Sequence, residues 1–91
     1  MTAVDLHSEC IGSGPPVVVL HGLFGAGRNW LTVARRLSSA FEFHLVDLRN
    51  HGRSPHTTSM TYTDMVADVL RMLDQRRLTR PIVVGHSMGG K

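Results

Sequence analysis

One stretch decides the fold: Pro81-Ile82-Val83-Val84-Gly85-His86-Ser87-Met88-Gly89-Gly90. Three consecutive β-branched residues run directly into Gly-x-Ser-x-Gly, a pattern typical of a nucleophile elbow, where a strand turns sharply into a helix. Gly85 and Gly89 suit such a turn, because a larger side chain would collide where the strand and the helix close on each other. Ser87 is therefore predicted to be a nucleophile whose hydroxyl is exposed at the top of a sheet.

Two further buried strands are predicted upstream of the elbow. Residues 17–20 are apolar without alternation, which is typical of a parallel strand buried on both faces. Residues 43–47 form a second such run, and residues 4–11 alternate loosely enough to predict a short edge strand. With helices between the strands, the order predicts an α/β fold with a parallel sheet, in which residues 1–91 belong to a single domain.

The two predicted helices each have an apolar face. The first carries apolar residues at i, i+3, i+4 and i+7, with Asn29 as the expected cap: Trp30, Val33, Ala34 and Leu37. The second opens at Thr61-Tyr62-Thr63-Asp64, which resembles a capping box with Asp in place of Glu or Gln. Its predicted inner face consists of Met65, Val66, Val69, Leu70 and Leu73.

Composition excludes several classes of partner. The net charge is +3 with scattered basic residues, so no nucleic-acid patch is predicted. The single cysteine, Cys10, predicts neither a disulfide nor a metal cluster and fits a reducing compartment. The N-terminus has no secretory signal pattern, and residues 17–20 are too short to cross a bilayer. We expect a cytoplasmic protein with no membrane partner, no metal and no cofactor; no oligomeric state is predicted.

Three segments carry a resemblance to a known family. They are Val17-Val18-Val19-Leu20-His21-Gly22-Leu23-Phe24-Gly25, Asp47-Leu48-Arg49-Asn50-His51-Gly52-Arg53-Ser54 and Gly85-His86-Ser87-Met88-Gly89-Gly90-Lys91. In this order they resemble successive signatures of the α/β-hydrolase superfamily, and their residues are similar to those of the small carboxylesterases of the YbfF and ABHD11 group. The resemblance covers residues 14–91. It implies the N-terminal part of an α/β-hydrolase fold, a mostly parallel sheet with helices on both faces, truncated after the elbow.

The resemblance also implies a site. The strand at 17–20 would lie between those at 43–47 and 81–85, so the strand order reverses there and makes a crevice where ligands bind. An acyl-transfer site needs two N–H donors directed at the developing oxyanion. By resemblance these are the N–H groups of Met88 and Leu23, with Phe24 as the alternative donor or as a lining residue of the acyl pocket.

The histidines and Asp47 have expected roles around this site. His21, Gly22, Phe24 and His86 are expected to border the substrate. Of these, His21 is expected to be buried and hydrogen-bonded rather than catalytic, since it stands where a strand ends in a tight loop. His86 is expected to be a poor base, because adjacent side chains in an elbow diverge. Asp47 is expected to organise its loop rather than serve as the triad acid, and His51 and His56 to be exposed.

These features favour a serine hydrolase that cleaves carboxylic esters, or alternatively thioesters, through an acyl-enzyme intermediate, with a small-molecule substrate. The triad order in this fold is Ser, acid, His, and the four residues after Ser87 contain neither acid nor histidine. The chain is thus expected to be a fragment of the enzyme and inactive alone. One alternative is a catalytically inactive fragment or a binding protein, and another is an inert serine in a simple turn. A third is a phosphate-binding P-loop, because Gly85-x-x-x-x-Gly90-Lys91 matches the first seven positions of that motif.

Overall fold

The fold was obtained as a computed structural model, which describes residues 3–22, 25–78 and 80–86. The elements, in chain order, are strand β1 (Ser8–Gly12), strand β2 (Pro16–Leu20), a 3-10 helix (Gly27–Trp30), helix α1 (Leu31–Arg36), strand β3 (Glu42–Val46), helix α2 (Tyr62–Gln75) and strand β4 (Ile82–Gly85). Within these residues no helix is both long and apolar enough to span a membrane.

The sheet has the order β1-β3-β2-β4. Strand β2 runs parallel to both of its neighbours, with Val18 paired to His44 on one side and to Val83 on the other. Strand β1 is antiparallel to β3 and forms an edge. The predicted position of β2 between the other two parallel strands is confirmed, so the carboxyl ends of β2, β3 and β4 lie at one side of the sheet.

Alternate residues of the central strands fill two cores on opposite faces of the sheet. One core joins Ala34 of α1 to the strand residues Val17, Val19, Phe43 and Leu45. The other joins Met72 of α2 to Leu6, Val18 and Val46. Helices therefore cover both faces of the sheet, as predicted, because a parallel sheet buried on both faces needs apolar partners on each side.

The first helix is shorter and less buried than its periodicity predicts. Of the four residues on its predicted apolar face, Ala34 is buried and Trp30 packs against the core, while Val33 and Leu37 are 46% and 44% exposed. Asn29 is not the N-cap either. The chain enters through a 3-10 turn capped at Ala26, and the Asn29 side chain reaches back to accept a hydrogen bond from the Ala26 N–H at 2.8 Å.

The capping box of α2 is confirmed. The Asp64 N–H donates to the Thr61 hydroxyl at 3.0 Å, and the Thr61 N–H donates to the Asp64 carboxylate at 3.4 Å. A shorter carboxylate in place of Glu or Gln therefore still reaches the cap backbone. Two N–H groups that the first helical turn leaves without partners are satisfied in this way.

The predicted inner face of α2 is confirmed for Met65, Val69 and Leu73 and is wrong for Val66 and Leu70. Val66 and Leu70 are 53% and 59% exposed, while Asp68 is fully buried between Met65 and Met72. A 3.6-residue period places Val66 and Leu70 beside the buried stripe of this helix, so apolar content alone assigns them to the inner face. What decides the rotation is the partner of Asp68.

That partner is Arg49, from the loop after β3. Its Nε donates to one Asp68 oxygen at 2.6 Å and its terminal nitrogen donates to the other at 2.8 Å, a bidentate pair that is almost completely buried. Arg49 also donates to the Ser59 carbonyl at 3.1 Å, and the Val4 N–H donates to Asp68 at 2.8 Å. One buried ion pair thus ties the loop, the helix and the N-terminal segment together.

Asp68→Asn should strongly destabilise the protein. It keeps the shape of the side chain but removes the bidentate charge partner of the buried Arg49, whose nearest remaining carboxylate is Asp64 at 3.6 Å. Breaking a buried pair in this way typically costs about 3–5 kcal/mol, and the more distant Asp64 places the expected loss at the lower end of that range. Urea unfolding of the whole encoded protein measures the free energy of unfolding. The control is Asp74→Asn, which removes the same charge from an exposed position of the same helix. Equal effects of the two substitutions would contradict the role of the pair.

Candidate active site

A cavity of about 440 Å³ opens where β2 and β4 end. The described residues that line it are His21, Gly22, Gly25, Asn29, Trp30, Val33 and His86. His21 follows β2 and His86 follows β4, and the His86 N–H donates to the Leu20 carbonyl at 3.0 Å, which continues the pairing of the two strands. The cavity therefore lies in the crevice that the strand order predicts.

His21 is held by both of its ring nitrogens. Nδ1 lies 2.6 Å from the Gly22 carbonyl oxygen, which can only accept, so Nδ1 carries the proton. Nε2 accepts from the Leu48 N–H at 3.0 Å. The ring is thus fixed as one neutral tautomer, and its burial is the main cause that lowers its pKa below the usual value, with His51 lowering it further. The expected burial and hydrogen bonding of His21 are confirmed.

The glycine-rich loop after β2 is anchored at both ends. The Gly22 carbonyl accepts a second hydrogen bond from the Gly25 N–H at 3.0 Å, and the Gly27 N–H donates to Asp47 Oδ1 at 2.8 Å. A Cβ at Gly27 would lie 2.7 Å from the Leu45 carbonyl carbon, so only glycine lets the chain pass this close to β3. The loop is therefore pressed onto the sheet just before the first helix begins.

Asp47 organises the loop that follows it, as expected, and it also holds the glycine-rich loop, which was not predicted. Its Oδ1 receives the Gly27 N–H and its Oδ2 receives the Arg53 N–H at 3.0 Å, so each oxygen holds a different loop. Gly52 has φ 49° and lies so close to this carboxylate that a Cβ there would collide with it. The side chain is buried, and its contacts with backbone donors fit an organising carboxylate better than a triad acid.

The prediction for His51 is wrong. It is buried, its ring centroid lies 4.8 Å from that of His21, and its Nδ1 donates to the Arg49 carbonyl at 2.8 Å. The reason is the turn at Asn50, whose φ of 64° folds the loop back over His21. Asn50, a residue type that tolerates positive φ, stands two residues before Gly52, and this pair was the sequence signal for the reversal. His56 is exposed, as predicted.

The expected nucleophile and oxyanion donors lie outside the described residues: Ser87, Met88, Leu23 and the alternative Phe24. The described residues next to both segments, however, border one cavity. Gly22 and Gly25 flank the positions of the loop donors, and His86 immediately precedes Ser87. His86 makes an edge-to-face contact with Trp30, with ring centroids 6.0 Å apart.

Comparison with protein families gives a direct answer. The family described as alpha/beta hydrolase fold matches residues 15–91. The chain belongs to this family. The sn-1-specific diacylglycerol lipase ABHD11 of Xenopus laevis is 50% identical over 80 residues, which is 86% of this chain and 26% of that protein. Esterase YbfF of Escherichia coli K12 is 42% identical over 76 residues, 84% of this chain and 30% of the esterase.

Solved structures agree with this assignment. A marine microorganism esterase superimposes with a TM-score of 0.95 at 42% identity, over 98% of this chain and 34% of that structure. The predicted likeness to the YbfF and ABHD11 group is confirmed, as is the α/β-hydrolase fold. The chain spans about a quarter to a third of the length of the relatives it matches.

Acidification should destabilise the protein through His21. Because its folded-state pKa lies below the usual 6.5, the unfolded chain binds the proton more readily. The free energy of unfolding should therefore be highest above pH 6.5 and should fall as the pH drops towards the lowered pKa, by at most about 1.4 kcal/mol per pH unit for one proton.

Urea titrations of the whole encoded protein across this range measure the slope. His21→Asn keeps a donor and an acceptor but does not titrate, so its stability should vary less with pH. The exposed His56→Asn is the matched control and should retain the full dependence. A His21→Asn slope equal to that of the control would show that His21 is not the titrating group.

Proposed function

We propose that this chain supplies the nucleophile and oxyanion loop of a serine hydrolase that cleaves carboxylic esters. The observation that carries the proposal is the cavity at the ends of β2 and β4. It is bordered by the residues that flank the glycine-rich loop and by the residue before Ser87 of Gly-x-Ser-x-Gly. In this fold, a substrate carbonyl bound in such a crevice would meet the serine of Gly-x-Ser-x-Gly and N–H donors of the glycine-rich loop.

In the proposed reaction the Ser87 hydroxyl attacks the ester carbonyl carbon and loses its proton to a triad histidine. The tetrahedral oxyanion receives hydrogen bonds from the N–H groups of Met88 and Leu23, with Phe24 as the alternative donor. Collapse expels the alcohol, which takes the proton from that histidine, and leaves Ser87 acylated. Water activated by the same histidine then releases the acid and regenerates the serine.

Neither histidine of the cavity is a suitable base in this scheme. His21 uses Nδ1 to donate to Gly22 and Nε2 to accept from Leu48, so no nitrogen is available to take a proton without breaking a buried hydrogen bond. His86 packs against Trp30 and adjoins Ser87 in sequence, where neighbouring side chains diverge. The base and its acid partner must therefore come from positions after Ser87 in the chain order of this fold.

The lining of the cavity favours an ester with an apolar acyl group. Trp30 and Val33 supply apolar surface beside the glycine loop, while the nearby Asp47 carboxylate accepts the Gly27 N–H instead. The relatives' names, esterase and lipase, share the carboxylic ester as substrate class. Thioesters stay an alternative, since the same oxyanion chemistry serves both.

The site favours a hydrolase over the phosphate-binding alternative. A P-loop at Gly85, Gly90 and Lys91 gives no role to the buried His21 and to Asp47, whereas a hydrolase crevice uses both. The treatment of residues 1–91 as the N-terminal portion of a single domain, and the cytoplasmic location expected from the single Cys10, stay predictions. A non-enzymatic binding role is the alternative that the following two experiments exclude or support.

A fluorophosphonate probe should label Ser87 in the whole encoded protein, because only an activated serine reacts readily with such probes. Ser87→Ala should abolish labelling and lower kcat by around 10⁶, the loss seen when a protease triad loses its nucleophile. The exposed Ser13→Ala is the matched control and should keep full activity. Peptide mapping that places the label on another serine would overturn the assignment.

A polypeptide of these 91 residues alone should show no ester turnover above background and should self-associate. It lacks a histidine after Ser87, and a triad without its base loses nearly all of its advantage. Among the described strands β4 pairs only with β2, and Ile82, Val83 and Val84 are 48%, 52% and 37% exposed. An open apolar edge is a template for pairing with other chains.

Analytical ultracentrifugation and hydrolysis of p-nitrophenyl acetate measure these two properties. Val83→Lys should reduce the association, because a lysine on an edge strand opposes pairing. The exposed Val66→Lys on α2 is the matched control and should not reduce it. A monodisperse 91-residue monomer with Ser87-dependent turnover would contradict the prediction.

A further inference from the structure

A second group of chemistry-bearing side chains lies on the outer strand pair, away from the crevice. Cys10 of β1 is the direct cross-strand partner of His44 of β3, and Glu42 lies two residues before His44 on the same face of the strand. The ligand atoms of these three residues all lie within 4.8 Å of one another. Cys10 is distant in sequence from the other two residues, which is why the sequence around the single cysteine predicts no metal cluster.

We propose that Cys10, Glu42 and His44 form a binding site for a zinc-like divalent cation, with water as the fourth ligand. A thiolate, an imidazole and a carboxylate are the three donor types that Zn²⁺ prefers in proteins. Ligand atoms around tetrahedral zinc lie about 3.3–3.6 Å apart, given metal–ligand distances of about 2.0–2.3 Å. The three side chains therefore need only small rotations to close on an ion.

The position of His44 supports the site. Its side chain is buried, and its Nε2 lies 2.7 Å from Glu42 Oε1. In the metal-free protein, Nε2–H donates to that carboxylate, and a metal ion would take the place of this proton between the two groups. Cys10 is exposed, so an ion has access from solvent.

Arg76, the C-cap residue of α2, acts against the metal. Its guanidinium nitrogen donates to His44 Nδ1 at 3.3 Å, which leaves the ring proton on Nε2. Metal binding at Nε2 requires the proton to move to Nδ1, and Arg76 must then turn away. Arg76 is exposed, so its side chain has room to rotate away from His44. Its positive charge opposes binding of a cation, and a neutral substitution at this position removes that repulsion.

The proton balance is simple. Burial and the Glu42 charge raise the pKa of the Cys10 thiol, and the sulfur must lose its proton to bind the ion. Binding forms the metal–sulfur, metal–nitrogen and metal–oxygen bonds and releases the thiol proton to solvent, while the imidazole proton shifts from Nε2 to Nδ1. No oxidant or reductant is involved, and the bound ion would link edge strand β1 to β3.

Titration with Co²⁺, a spectroscopic substitute for zinc, tests the proposal on the whole encoded protein. We expect a thiolate-to-cobalt charge-transfer band that saturates with one ion per chain, disappears on adding Zn²⁺ and is absent in Cys10→Ser. Glu42→Gln should weaken binding more than about tenfold. The matched control is Glu9→Gln, which removes the same charge next to Cys10 but pairs with Leu45 on the other face.

Arg76→Gln should bind the ion more tightly than the unaltered protein, because the competing donor to His44 becomes neutral. Zn²⁺ should also raise the melting temperature of the unaltered protein but not that of Cys10→Ser. Since Cys10 is exposed, that variant should fold even if a substitution of the buried His44 does not. Absence of the thiolate band, or equal Co²⁺ affinity in Cys10→Ser and Glu9→Gln, would overturn the proposal.

Discussion

The crevice depends on one carboxylate. Asp47 stands at the end of β3 and receives a backbone N–H from each of two loops, Gly27 on one oxygen and Arg53 on the other. A buried carboxylate needs such donors, because an unsatisfied charge in the interior is costly. The two backbone hydrogen bonds that stabilise the buried Asp47 carboxylate therefore also fix the relative position of the two loops. Glycine at positions 27 and 52 leaves the space for it.

His21 adds a second tie of a different kind. Its neutral ring bonds to the Gly22 carbonyl through Nδ1 and to the Leu48 N–H through Nε2. The glycine loop and the loop after β3 are therefore connected twice, by the Asp47 carboxylate and by the His21 ring. A peptide unit is planar, so fixing the Gly22 carbonyl restricts the orientation of the whole unit. In the proposed reaction, His21 would therefore help to position the backbone of the glycine loop without taking part in proton transfer.

The sequence predicted what depends on local pattern. The apolar runs of the strands, the Thr61–Asp64 capping box and the motif around Ser87 are each readable within a few residues, and the first two are confirmed. Asp47 was also expected to organise its loop, since a carboxylate at the end of a parallel strand faces the crevice. The partner of Arg49 was not predictable in this way. Its pairing with Asp68 joins positions 19 residues apart, and nothing local marks either residue as buried.

The rotation of α2 follows from that missed pair. Apolar content alone favours turning Val66 and Leu70 inward, but a helix that did so would move Asp68 out of reach of Arg49. Breaking a buried pair leaves an uncompensated charge at a cost of about 3–5 kcal/mol, whereas fully burying one aliphatic side chain gains about 1.5–3 kcal/mol. Once Arg49 is enclosed by its loop, the orientation that keeps Asp68 inside is competitive even with two apolar side chains exposed. Hydrophobic periodicity therefore identifies α2 as a helix, while a charge pair between two elements determines which side of it faces the sheet.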